Sequence, residues 1–178
     1  MTQLQPLPGD LLMTRSDGLG GQLIREGASL EDEPNQCNHV AVVHHTDANS
    51  TVWCIEGRPG GVGWRDATDY IRSPWTVSNS LQPKSMNQRT DITTGTVAMI
   101  GTPYDWEAIT KDAGDVFGLK HVWELKWTDG QVPGHVVCSS LAAYLYMKAG
   151  LACPPGDREV SPADWLNLLI PNHWLVTS

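Results

Sequence analysis

The sequence has few basic residues: 12 Lys and Arg stand against 20 Asp and Glu, which gives a net charge of −8. The Lys and Arg residues form no cluster along the chain. Because binding to nucleic-acid phosphates requires a basic surface, this composition argues against a nucleic-acid partner.

The sequence also lacks long apolar runs. Its start, "MTQLQPLPGDLLMTR", has no basic stretch followed by an apolar core, so it does not resemble a secretory signal. A membrane-spanning helix needs about 20 apolar residues, and the apolar stretch "WLNLLIPNHWLV" is short and interrupted by Pro171. We therefore expect no integral membrane segment, and either a cytoplasmic location or export as part of a larger virion assembly.

No disulfide framework is visible among the four cysteines, which lack a CxxC pair. Cys37, His39, His44 and His45 fall close together and raise the alternative of a zinc site. However, a strand's length separates the first two from the last two, and adjacent strand residues point to opposite faces. The sequence therefore predicts no metal site and no other cofactor.

The N-terminal half of the sequence has the pattern of β-strands, and the C-terminal half has the pattern of helices. This segregation predicts an α+β fold with an antiparallel sheet, and the length of 178 residues suits one domain over residues 1–178. The predicted strands are residues 10–15, 39–45, 51–57, 62–66 and 75–81.

Two helices have clear sequence signals. "CSSLAAYLYMKAG" has apolar residues at helical spacing and ends at Gly150, and "SPADWLNLLIP" begins with Ser161 as N-cap and Pro162 in the first helical position. We also expect a short helix near residues 20–26 and a helix from Tyr104 to Gly114. Residues 85–100 fit either a strand or a helix.

Cys138 lies where the first of these helices begins, so its sulfur would meet the positive end of the helix dipole. Free N–H groups at that position favour a thiolate and can stabilise an oxyanion. The alternative is that Cys138 is a buried small apolar residue, as free cysteines often are.

A reactive thiolate needs a base and a group that orients the base. His39 opens a predicted buried strand, and Glu56 lies on the partner strand, where it could reach His39 across an antiparallel pair. The alternatives are a core histidine and a glutamate that faces solvent, with Asn38 as another group that could orient His39.

Five segments resemble cysteine peptidases of the NlpC/P60 type, although the half that carries the cysteine comes second here. That order is similar to the circularly permuted branch of the superfamily, which includes YiiX-like and lecithin:retinol acyltransferase-like proteins. The matching segments are "PGDLL" (8–12), "HVAVV" (39–43), "CIEG" (54–57), "GTPYDW" (101–106) and "CSSLAAYLYMKAG" (138–150).

The resemblance implies a circularly permuted papain-like fold and a triad in which Cys138 is the nucleophile, His39 the base and Glu56 the third member. It also implies that Tyr104, and Ser139 beside the nucleophile, help to bind the oxyanion or substrate. The long interval between Tyr104 and Cys138 departs from the family pattern.

The activity implied by the resemblance is hydrolysis of peptides or amides through an acyl-enzyme. Peptidoglycan stem peptides are the expected substrate, as for a cell-wall hydrolase carried by a phage. The alternatives are an acyltransferase or thioesterase for lipid or acyl substrates, and a catalytically silent papain-like module that binds a partner.

Overall fold

A six-stranded antiparallel sheet forms the centre of the structure, which is a computed structural model. It describes residues 4–15, 37–105, 134–155 and 160–177. The strand order across the sheet is β4-β3-β2-β1-β5-β6. The strands are β1 (Leu11–Thr14), β2 (His39–Thr46), β3 (Val52–Arg58), β4 (Gly61–Asp66), β5 (Val77–Ser78) and β6 (Val176–Thr177). The helices are α1 (Thr68–Arg72), α2 (Met86–Ala98), α3 (Cys138–Lys148) and α4 (Pro162–Leu169).

Alternation along the strands gives the sheet two buried faces. Val40 and Val42 of β2 belong to the core that the sheet shares with α3 and α4. Ala41 and Val43 belong to a smaller core on the opposite face, which includes Ile71 of α1. Because successive strand residues point to opposite sides, one strand serves both cores.

The helix α2 resolves the ambiguity of residues 85–100 in favour of a helix. Ser85 caps it, and Gln88 completes a reciprocal capping box with the Ser85 backbone. Gly95 allows α2 to lie close to α3, because a Cβ at this position would stand 2.7 Å from Leu145 Cδ2.

The first turn of α3 is fixed by contacts with the start of α4. Trp165 is fully buried, and its indole N–H donates to the carbonyl of Ser139 at 3.2 Å. The Ser139 hydroxyl donates to the carbonyl of Val160, just before α4. These bonds hold the N-terminal end of α3 in a defined position.

The predicted α+β class and the antiparallel sheet are confirmed, as are the two helices with clear sequence signals. The strand predicted over 75–81 is wrong in length, because only Val77 and Ser78 pair, while α1 and β6 were not predicted. The short helix near 20–26 and nearly all of the helix predicted from Tyr104 lie outside the described residues. Among the residues described, no helix has both the length and the apolar character required to cross a bilayer.

Candidate active site

The strands β2 and β3 bring His39 and Glu56 together. Val42 pairs with Ile55, which places Glu56 opposite Ala41 and makes it a diagonal neighbour of His39 on the same face. His39 Nε2 lies 2.8 Å from Glu56 Oε2. The sequence-based prediction that Glu56 could reach His39 therefore agrees with the geometry.

Glu56 is buried, and three side chains surround its carboxylate. Besides His39, the Arg58 guanidinium forms an ion pair with Oε1, and the Tyr70 hydroxyl donates to Oε2 at 3.0 Å. Burial would raise the pKa of Glu56, but bonding to His39 and the charges of His39 and Arg58 hold that pKa below its ordinary value. The carboxylate is therefore ionised where water does not reach it.

Cys138 is the first residue of α3 and is only 3 % exposed. Its predecessor Val137 provides no side-chain cap, so the helix begins with backbone N–H groups near the sulfur. The sulfur shares a hydrogen bond with the His39 imidazole and accepts another from the backbone N–H of Val40.

These contacts separate Cys138 from the other cysteines. Burial would raise the pKa of Cys138, but the charge of His39 and both hydrogen bonds bring that pKa below its ordinary value. Burial raises the pKa of Cys37 to about 11, and it also raises the pKa of Cys54 and of Cys153. The geometry therefore favours a thiolate at Cys138 and neutral thiols at the other three positions.

The same interactions favour the imidazolium form of His39. Burial would lower the pKa of His39, but the charge and hydrogen bond of Cys138, followed by those of Glu56, raise it to about 10. Because Glu56 occupies Nε2, Nδ1 is the ring nitrogen left to face the sulfur. These shifts favour a thiolate–imidazolium pair of Cys138 and His39, with Glu56 on the other side of the imidazole.

Backbone pairing brings Tyr104 next to the start of α3. It forms an isolated parallel bridge with Val136, and Val136 N–H donates to the carbonyl of Pro103 at 3.1 Å. Burial, followed by the charge of Cys138, raises the pKa of Tyr104. The Tyr104 hydroxyl is therefore neutral and is close enough to interact electrostatically with the sulfur. The bridge closes the long sequence interval between Tyr104 and Cys138.

Ser139 is placed differently from the other predicted site residues. Its buried hydroxyl donates to the carbonyl of Val160, on the side of α3 that faces α4. Because this hydroxyl is engaged in positioning α3, it is not among the groups that surround the sulfur.

The alternative zinc site has no support among the described residues. They contain no group of three or more His, Cys, Asp or Glu side chains arranged to hold a metal ion. His44 and His45 instead contact each other, with their Nδ1 atoms 2.9 Å apart, and pack against Trp64 near the far end of β2.

Three residues of the site were not predicted from the sequence: Arg58, Tyr70 and Gly57. Arg58 follows Glu56 by two positions, and that strand spacing places both on one face, which was a usable signal. Gly57 permits the close approach of β3 to α3, because a Cβ there would lie 3.2 Å from the Cys138 nitrogen. Tyr70 reaches the site from α1, and no sequence pattern indicates that contact.

No protein-family model matches the sequence, and no curated protein matches it. Among solved structures, the chain is similar to the crystal structure of metalloprotein YiiX from Escherichia coli O157:H7. The TM-score is 0.56 at 16 % sequence identity, over 82 % of this chain and 67 % of that chain. The fold is therefore α+β and YiiX-like, with a papain-like arrangement of sheet and helices, as the resemblance implied.

Proposed function

We propose that this protein is a cysteine-dependent amide or peptide hydrolase that acts through an acyl-enzyme. Cys138 is the nucleophile, His39 the acid and base, and Glu56 the group that orients His39. The observation that carries the proposal is the hydrogen-bonded pair of Cys138 and His39 at the start of α3, with the buried Glu56 on the other side of the imidazole. A papain-like fold supports it.

In the first half of the reaction, the Cys138 thiolate attacks the carbonyl carbon of the substrate, and a carbon–sulfur bond forms. The carbonyl electron pair moves to oxygen, where the backbone N–H of Cys138 and the Tyr104 hydroxyl stabilise the negative charge. When the tetrahedral intermediate collapses, the carbon–nitrogen bond breaks and the Nδ1 proton of His39 passes to the leaving amine.

In the second half, neutral His39 removes a proton from water as the water oxygen attacks the thioester carbon. The carbon–sulfur bond breaks, which releases the carboxylic acid and restores the thiolate–imidazolium pair. Glu56 stabilises the imidazolium in both halves and keeps Nδ1 directed toward the sulfur.

Peptidoglycan stem peptides are the substrate that we propose to test first, as for a phage-borne cell-wall hydrolase. The support for this substrate is the sequence resemblance to permuted NlpC/P60-type amidases, together with the YiiX-like fold. The alternative is a lipid acyltransferase or thioesterase, which uses the same acyl-enzyme chemistry. Assays with the two classes of substrate distinguish these activities.

The first experiment measures alkylation of Cys138 against pH with a small probe and peptide mapping, in the wild type and in His39→Ala. We expect Cys138 to react about tenfold or more faster than Cys153 near pH 7, because an ordinary thiol is only a few per cent thiolate there. His39→Ala should remove this advantage, because the thiolate loses its cationic partner.

His135→Ala is the matched control, since this exposed histidine lies three positions before Cys138 in sequence. It should leave the alkylation profile unchanged. An ordinary thiol profile for Cys138 in the wild type would refute the proposal and favour a silent binding module. A reactive Cys138 would lead to assays with muropeptides and with acyl thioesters, which distinguish the two substrate classes.

A further inference from the structure

We propose that Arg58 and Tyr70 are positioning residues that share the Glu56 carboxylate with His39 and so set the pH range over which the Cys138–His39 pair is ionised. This inference rests on the proposed function, because the pair it regulates is the proposed nucleophile and base. It adds a regulating layer of two residues that touch neither the sulfur nor the substrate carbonyl.

The geometry of the Glu56 carboxylate carries the first step. Its two oxygens have different partners: Oε2 faces His39 Nε2 at 2.8 Å, whereas Oε1 pairs with the Arg58 guanidinium. The Tyr70 hydroxyl spans both oxygens, at 3.0 Å from Oε2 and 3.4 Å from Oε1. Arg58 Nη2 in turn donates to the Tyr70 oxygen at 3.0 Å, which closes a ring of three side chains.

Burial distinguishes the roles of the ring members. The Glu56 side chain is 1 % exposed, whereas the Arg58 side chain is 40 % exposed. Water can therefore solvate Arg58 but not Glu56, so Arg58 is not required to fill the core. Its contribution at this position is a positive charge and a fixed hydrogen-bond direction toward Oε1.

Tyr70 links the ring to the imidazole. Its ring centroid lies 6.0 Å from that of His39, with a tilt of 58°, so Tyr70 contacts both members of the His39–Glu56 bond. The guanidinium of Arg65 also lies over the Tyr70 ring, 5.5 Å from the ring centroid. This stacking holds the hydroxyl toward the carboxylate.

The electrostatic consequence follows from the sign of each group that faces the pair. Glu56 is negative. If no cation offset its charge, that charge would raise the pKa of both His39 and Cys138. Arg58 and Arg65 are positive and oppose that effect, and Tyr70 and Tyr104 are neutral phenols. Removing Arg58 should therefore move the whole ionised range of the pair toward higher pH.

The test is the pH profile of Cys138 alkylation in Arg58→Met, Arg58→Lys and Tyr70→Phe, recorded with the imidazole titration of His39 by nitrogen NMR. Arg58→Met should shift both limbs of the profile upward by about one pH unit, the scale expected for a unit charge a few ångströms from the pair. Arg58→Lys keeps the positive charge, so both limbs of its profile should lie close to those of the wild type.

Tyr70→Phe leaves the net charge unchanged, so its limbs should move less than those of Arg58→Met. The plateau rate should fall severalfold, because Glu56 loses one of its donors and His39 is held less firmly. A residue that only stabilises the fold would lower the unfolding midpoint without moving either limb. Arg72→Met, an exposed arginine of α1, is the matched control for loss of one positive charge.

The inference is overturned if folded Arg58→Met keeps both limbs and the His39 titration within about 0.2 pH unit of the wild type. Failure of the proposed function has a different signature, namely an ordinary thiol profile for Cys138 in the wild type itself. In that case the NMR titration of His39 in Arg58→Met still decides whether Arg58 acts on the imidazole. If Arg58→Met does not fold, Arg58→Gln removes the same charge with a polar side chain, and the same limits apply to it.

Discussion

Two buried carboxylates, those of Asp10 and Glu56, have nearly the same exposure but different partners. Asp10 lies in the "PGD" turn before β1, where its Oδ1 accepts from Lys84 Nζ at 3.0 Å and from Arg89 Nη1 at 2.9 Å. Glu56 is bound by His39, Arg58 and Tyr70. Each carboxylate therefore has two basic partners in a place that water does not reach.

The difference lies in whether a partner can lose its proton during a reaction. The Lys84 side chain is fully buried, and its ammonium also donates to the carbonyls of Asn79 and Gln82, so it is satisfied on several sides. His39 instead faces the sulfur of Cys138, whose charge and hydrogen bond raise the pKa of the imidazole. Burial and ion pairing alone thus do not separate the two carboxylates, whereas the titratable partner of Glu56 lies beside a cysteine of lowered pKa, which is the arrangement that the proposed function requires.

The largest expected effect is the loss of stability in Asp10→Asn. This change leaves the buried Lys84 ammonium without its counter-charge, and breaking a buried ion pair costs about 3–5 kcal/mol. Urea unfolding would measure that cost, while alkylation of Cys138 in the folded fraction should stay at the wild-type rate. Adding Lys84→Met should recover part of the lost free energy of unfolding, because it removes the unpaired charge.

Glu56→Gln should show the opposite pattern. Arg58, the cation it leaves, is partly exposed and can be solvated, so the unfolding free energy should fall by only about 1–2 kcal/mol. The alkylation advantage of Cys138 should fall severalfold, because His39 loses the carboxylate that bonds Nε2 and holds Nδ1 toward the sulfur. Equal loss of stability in both variants, with no loss of reactivity in Glu56→Gln, would contradict the distinction drawn between the carboxylates.

The next effect concerns the close approach of β3 to the start of α3. Gly57→Ala would place a Cβ 3.2 Å from the Cys138 nitrogen, so the start of α3 must move by a few tenths of an ångström. We expect a severalfold drop in Cys138 alkylation near neutral pH and about 1 kcal/mol of destabilisation from overpacking. Gly63→Ala on the adjacent strand is the control, since a Cβ there meets nothing within 4 Å. A drop of the same size in that control would show that the effect is not specific to the helix start.

The smallest effect is the pH dependence of stability contributed by the Cys138–His39 pair. His39 has a folded pKa raised from 6.5 to about 10, so its contribution is complete below pH 6.5 and is lost as pH rises toward 10. Cys138 has a folded pKa below its ordinary 9.0, so its contribution is complete above pH 9.0 and is lost as pH falls through the folded value.

Where the folded Cys138 is a thiolate and the pH lies between 6.5 and 9.0, the folded pair and the unfolded chain each bind one proton, so these two slopes cancel. The stability difference between the wild type and His39→Ala/Cys138→Ala should be flat in that range and fall on both sides. Urea unfolding across the pH range measures it, and a steady slope through neutral pH would contradict a thiolate–imidazolium pair. The Asp10 variants should not alter this shape, since that cluster contains neither group.

Local sequence patterns predicted most of the elements. A continuous run of apolar, mostly β-branched residues gives β2, whose odd and even positions serve two cores, and Ser161 with Pro162 fixes the start of α4. The failures have a common cause: β5, β6 and α1 are too short for a periodic pattern to distinguish them from loops. The helix α2 was ambiguous because its threonines favour strands, and its packing on α3 through Gly95 decided the outcome.

The sequence predicts the proposed triad from the pairing of two strands, from the start of a helix and from family resemblance. Those sources indicate which residue types can react, but they do not give distances. The position of Ser139 illustrates the limit, because its neighbour in sequence faces His39 while its own hydroxyl faces Val160. Successive residues of a helix point in directions about 100° apart, so adjacency to a nucleophile does not imply a shared site.

The sequence by itself determined the acidic composition, the antiparallel sheet with helices in the second half, and the placement of Cys138 at a helix start. These features depend on residue type and short-range spacing. Only the tertiary structure decided that His39 lies between Glu56 and Cys138, that Tyr104 pairs beside α3, and that Arg58 and Tyr70 enclose the carboxylate. Those contacts join residues from different elements, and their ionisation depends on burial and charge that no local pattern specifies.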